Sequence, residues 1–193
     1  MLVKICGLTD PASVDAAAAA DMVGFVFAPS PRQVSPAEAR TLAARLPARV
    51  KRVAVFSRAS AEEIAAVCAV FPADIVQCAP GTALPPGVAL LPVMHEQDDE
   101  DQIAAPLVLL EAARSGGGAG EVGDWDRAAA VARKRAVVLA GGLRPDNVAE
   151  AIKTVRPAGV DVSSGVEARR GVKDPARIHA FIMAARAAGE TVR

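Results

Sequence analysis

LVKIC, residues 2–6, reads as a β-strand whose two faces differ in kind. Side chains alternate across a strand, so Val3 and Ile5 share one face while Lys4 and Cys6 share the other. Only the first pair suits packing against helices, which leaves Lys4 and Cys6 to point into an enclosed interior. GVDVSS, residues 159–164, repeats the pattern, with Val160 and Val162 outward and Asp161 and Ser163 inward. If a sheet closes so that the last strand lies beside the first, Lys4 and Asp161 form an ion pair. Cys6, two residues further along, then reaches the C-terminal rim, where barrels of this kind build their sites.

Between these ends, β-rich runs alternate with Ala-rich helical stretches. The other strand candidates are MVGFVF (22–27), RVAVF (52–56), DIVQCA (74–79), VALLPVM (88–94), LVLLEA (107–112) and AVVLAG (136–141). Helices are predicted near 11–20, 36–46, 60–71, 98–104, 124–134, 145–155 and 174–188. A Pro/Gly stretch, PGTALPPG, stands alone after the fourth strand, so the helix there is eroded. Strict alternation implies a parallel sheet covered by helices. Eight strands in 193 residues suit a compact (β/α)₈ barrel over residues 1–193 as one domain, with an open doubly wound sheet as the competing fold.

The bulk numbers restrict function. Hydrophobic residues make up 52% of the chain, enough for a large core, and 22 basic residues balance 22 acidic ones. There is then no long-range field to gather nucleic acid or an anionic membrane, and an anionic ligand must be held locally. No run approaches the roughly 18 apolar residues of a membrane span, and the first strand begins too early for a leader, so a cytoplasmic location is expected. Nothing in the sequence points to a particular oligomeric state. Three cysteines without CxxC spacing argue against a disulfide framework or zinc site.

Glycines and serines ending the seventh and eighth strands supply a local anion device. Gly141 and Gly142 in LAGGLRPDN, and Ser163, Ser164 and Gly165 in VSSGVE, allow backbone N–H groups to approach a phosphate, with a short helix after Ser164 adding its dipole. GAGEVG (118–123) has GxGxxG spacing but does not follow a strand directly, and it reads as a loop over the barrel mouth. Cys68 falls on a helix's buried stripe and Cys78 on a helix-facing strand position; both are expected to pack. Glu111 shares parity with Leu107 and Leu109 and is expected to face inward at the same rim as Cys6, a surface pair with Arg114 being the alternative. Arg32, stiffened by Pro29 and Pro31, is placed to fork onto a ligand carboxylate. His95 and His179 are assigned no catalytic task.

VKICGLT, GFVFAPSPRQVS, VAVF, LAGGLRPDNVAEAI and GVDVSSGVEARRGVKD together resemble the phosphoribosylanthranilate isomerase family of tryptophan biosynthesis. The resemblance implies a (β/α)₈ barrel and a cofactor-independent Amadori rearrangement of N-(5-phosphoribosyl)anthranilate. It implies Cys6 as base, the strand-six carboxylate Glu111 as acid, Arg32 for the anthranilate carboxylate and the strand seven and eight loops for phosphate, with Lys4 and Asp161 in support. Three positions depart from the family pattern: Glu111 stands for an aspartate, CAPG follows Gln77 in place of Leu-His-Gly, and Gly123 precedes Asp124 and Trp125 in place of Phe. Competing expectations are a weakly active sugar-phosphate-binding relative and an isomerase of another sugar phosphate, for which Arg32 would be dispensable.

Overall fold

The computed structural model describes residues 1–95, 98, 103–111 and 123–192. Eight parallel strands form a closed barrel in sequence order: β1 (Leu2–Cys6), β2 (Met22–Val26), β3 (Lys51–Val55), β4 (Ile75–Cys78), β5 (Ala89–His95), β6 (Leu107–Glu111), β7 (Ala136–Ala140) and β8 (Gly159–Val162). β1 is bonded to β2 on one side and to β8 on the other, with Lys4 opposite Asp161 in the β8 register. Closure leaves no sheet edge, so the doubly wound alternative is excluded. Among the described residues no helix is long and apolar enough to cross a membrane.

Among the described residues six helices cover the barrel: α1 (Pro11–Ala16), α2 (Pro36–Ala43), α3 (Ala61–Val70), α4 (Trp125–Ala132), α5 (Val148–Val155) and α6 (Pro175–Thr191). Their starts follow the sequence chemistry. Ser35 and Ser60 each close a capping box with the glutamate three residues on, and Asp10 and Asp174 cap helices that begin with proline. Residues 79–88 contain no helix, in keeping with their prolines and glycines. Of the helix predicted over 98–104, Asp98, Ile103 and Ala104 are not helical and the rest lies outside the described residues.

Strand alternation sorts the core into two shells. Outward residues such as Val3, Ile5, Val23, Phe25, Val160 and Val162 pack with the helices, and Cys78 joins them as parity requires. Inward residues form smaller clusters, Met22 with Val53 and Val138, and Leu91 with Leu109 and Ala140. Cys68 packs against this core as expected but is only partly buried, because the exposed side of α3 begins beside it. Two short antiparallel strands, β9 (Glu167–Arg169) and β10 (Val172–Lys173), lie between β8 and α6 and have no counterpart in the sequence reading.

Candidate active site

Inward residues at the C-terminal ends of the strands line one cavity, with about 740 Å³ of open space including its mouth. Cys6 from β1, Gln77 from β4, Glu111 from β6, Gly141 and Gly142 after β7, and Asp161, Ser163 and Ser164 of β8 and its loop are on its wall, as is Arg32 from the loop after β2. Cys6 and Glu111 therefore meet across one rim, both more than nine-tenths buried. Sulfur has room there because β2 offers no side chain: a Cβ on Gly24 would lie 2.9 Å from Cys6 Sγ.

Below Cys6, Lys4 is wholly buried and its Nζ donates to Asp161 Oδ1 at 3.0 Å. Burial works against that ammonium, but the Asp161 carboxylate and the Cys6 sulfur outweigh it and raise the lysine's pKa. The thiol, too, is shifted upward. Burial pushes Cys6 above its ordinary value, and Asp161 adds to this, while Lys4 and Lys173 pull it down without cancelling the rise. A neighbouring cation cannot activate a thiol freely when a carboxylate shares it and water is excluded.

Gly141 and Gly142 both take positive φ, 98° and 66°, which turns the backbone sharply after β7. Asn147 fixes this loop from behind: its Nδ2 donates to Gly142 O at 3.0 Å, and its Oδ1 accepts from Arg144 N–H at 2.7 Å. Gly165 is not among the residues that line the cavity; a Cβ there would lie 1.9 Å from Leu143 O, so this glycine lets the β8 loop pass close against the β7 loop. The helix expected after Ser164 is a single 3-10 turn, Ser164–Val166, too short for an appreciable dipole.

Arg32 is not the unengaged guanidinium that the proline-stiffened loop suggests. Nε and Nη2 donate to Glu167 Oε1 and Oε2 at 2.6 and 3.1 Å, and among the described residues Nη1 has no hydrogen-bond partner. Glu167 also accepts from Lys173 Nζ at 2.9 Å and from Gly171 N–H at 3.0 Å. Burial alone would raise this carboxyl, but its bonds from Arg32 and Lys173 hold it at about 2.

Glu167, Lys173, Gln77 and His95 were not singled out by the sequence reading. Gln77 Oε1 is buried with no hydrogen-bond partner among the described residues, an acceptor that a ligand donor would satisfy. His95 closes β5 in register with Glu111 and lines an adjoining hollow with it. Strand parity marks both, since Gln77 follows Ile75 and His95 follows Val93 on the inward face. His179 is exposed on α6. Arg114 and most of GAGEVG, residues 118–122, lie outside the described residues.

The comparisons with known proteins agree with one another. The sequence profile of the N-(5'phosphoribosyl)anthranilate (PRA) isomerase family matches residues 3–79 and 91–184. N-(5'-phosphoribosyl)anthranilate isomerases of Roseiflexus castenholzii and Chromohalobacter salexigens are 44% and 45% identical to this chain. The first alignment covers 97% of this chain and 99% of the relative, the second 93% and 92%. The crystal structure of phosphoribosyl anthranilate isomerase from Thermotoga maritima superposes with a TM-score of 0.82 at 36% identity, over 97% of this chain and all of that one. A phosphoribosyl anthranilate isomerase in complex with reduced 1-(o-carboxyphenylamino)-1-deoxyribulose 5-phosphate gives 0.79 at 35% identity, over 97% and 100%. This chain belongs to the phosphoribosylanthranilate isomerase family.

Proposed function

We infer that this protein isomerises N-(5'-phosphoribosyl)anthranilate to 1-(2-carboxyphenylamino)-1-deoxyribulose 5-phosphate. The observation that supports this most directly is that Cys6 and Glu111 line one cavity together with the glycine and serine loops of β7 and β8. The rearrangement needs two proton transfers. Glu111, as the acid, protonates the ribose ring oxygen as the C1–O bond breaks, leaving an iminium at C1. Cys6, as thiolate, takes the C2 proton, and the resulting enolamine tautomerises to the ketone. Side chains suffice for both steps, so the proposal calls on no cofactor.

The β7 and β8 loops hold the phosphate through backbone N–H groups and the hydroxyls of Ser163 and Ser164, and the Nη1 side of Arg32 receives the anthranilate carboxylate. Anchoring both ends leaves C1 and C2 between the acid and the base. Glu167 keeps the arginine in a fixed plane, so less freedom is lost when the carboxylate arrives. Lys4 and Asp161 support Cys6 from below.

The test is turnover of freshly generated substrate, followed by loss of anthranilate fluorescence. Cys6→Ala and Glu111→Gln are expected to reduce kcat by about a hundredfold or more, the scale of an acid or base contribution. Glu111→Asp, which retracts the carboxyl by about an ångström, is expected to lose up to a hundredfold. Undiminished activity in Cys6→Ala or Glu111→Gln removes that residue from its role. An inactive parent that still binds phosphate makes the protein a sugar-phosphate-binding relative instead, and turnover of another sugar phosphate in Arg32→Ala makes it a different isomerase.

A further inference from the structure

We propose that Lys173 is a positioning residue that forces the Ser163 hydroxyl to donate to the anionic end of the ligand and, through Glu167, ties that end of the site to Arg32. An ammonium has three donors and no acceptor. Here they have three targets: Ser163 O at 2.8 Å, Ser163 Oγ at 3.3 Å and Glu167 Oε1 at 2.9 Å. The Lys173 side chain is completely buried, so these contacts are its surroundings in place of water. Because Oγ accepts from Lys173, the one hydroxyl proton of Ser163 must point elsewhere, and Ser163 lines the cavity.

Glu167 joins this arrangement to Arg32. Its Oε1 accepts from both Lys173 and Arg32, and its Oε2 from Arg32 and the Gly171 N–H. Ser163, Lys173, Glu167 and Arg32 thus form one hydrogen-bonded chain whose two ends are on the cavity wall. A buried chain of this kind holds the Arg32 guanidinium and the Ser163 hydroxyl in a fixed relation to each other. Gly7 reinforces it: a Cβ there, at φ 76°, would lie 2.7 Å from Arg32 Cδ and 3.3 Å from Ser163 Oγ.

The inference rests on the reading that the β7 and β8 loops hold phosphate, so the test uses inorganic phosphate and does not depend on turnover. Calorimetric titration of the full-length protein compares wild type, Ser163→Ala, Lys173→Met and the double variant of both. Each single variant is expected to weaken phosphate binding about tenfold, and the double variant to be no weaker than either, because Lys173 acts through the hydroxyl. Lys173→Met with Glu167→Gln removes one buried charge of each sign and is expected to retain the tenfold loss. In turnover, Lys173→Met is expected to raise KM much more than it lowers kcat. Wild-type phosphate affinity in Lys173→Met, losses that multiply in the double variant, or recovery of affinity in the charge-balanced variant overturns the proposal. No phosphate binding by the wild type removes the phosphate reading and this inference with it.

Discussion

A methyl group at position 24 would meet Cys6 Sγ at 2.9 Å and Val55 Cγ2 at 3.2 Å, although the backbone there suits any residue. Gly24 is therefore small to leave space for the sulfur. Gly24→Ala is expected to turn Cys6 out of position and cut kcat at least tenfold with only a small drop in melting temperature; unchanged kcat would show that the sulfur's placement is not critical. The thiol itself carries a pH signature. Since burial raises Cys6 above its ordinary 9.0, alkylation of the ligand-free protein is expected to accelerate only above that pH, and Lys4→Met to move the rise higher still. Glu167 acts at the other end of the scale. Its folded pKa, about 2, lies below the ordinary 4.5, so its contribution to stability is complete above 4.5 and is lost as pH falls toward 2. The urea midpoint of the wild type is expected to fall through that window more steeply than that of Glu167→Gln. Positions such as Lys4, Cys6 and Glu111 were legible because period two needs only a few residues to assign a face. The Arg32–Glu167 pair was not, since its members are 135 residues apart and no local pattern links them.

The loop after β7 is held by one side chain. Asn147, more than nine-tenths buried, bonds to both Gly142 O and Arg144 N, two backbone groups that a turn with positive φ at Gly141 and Gly142 leaves unpaired within the strand ladder. Two hydrogen bonds at about 1 kcal/mol each are at stake. Asn147→Ala is expected to raise KM roughly tenfold with kcat nearly unchanged, and equal losses in both would assign Asn147 to the reacting end instead. All eight barrel strands were read from sequence, because buried parallel strands are continuous apolar runs. β9 and β10 were not: three and two residues are too few for periodicity to register, and the stretch read as a connection into α6. The α2 and α3 starts were marked by serine with glutamate three residues on.

Across the whole molecule, closure depends on β1 and β8, which Lys4 and Asp161 join through the interior. Removing one partner of a buried ion pair leaves the other uncompensated and typically costs about 3–5 kcal/mol. Lys4→Met is expected to lower stability on that scale in guanidinium unfolding, and Lys4→Met with Asp161→Leu to recover most of it without recovering turnover. A double variant as unstable as the single one would place the cost in packing rather than charge. The barrel was legible because alternation of elements, strand count and the polar inner faces of the first and last strands agreed; the cradle for Arg32 was not, because it is built from β9 and β10, which carry no periodic signal. Lys4 and Asp161 are separated by 157 positions. On the ribosome, the first strand emerges with one flank open and a cation committed to the interior, and neither is satisfied until the last strand has been made. Of all the strand pairings in the barrel, this seam joins the residues farthest apart in the chain, and so carries the largest loop-closure cost.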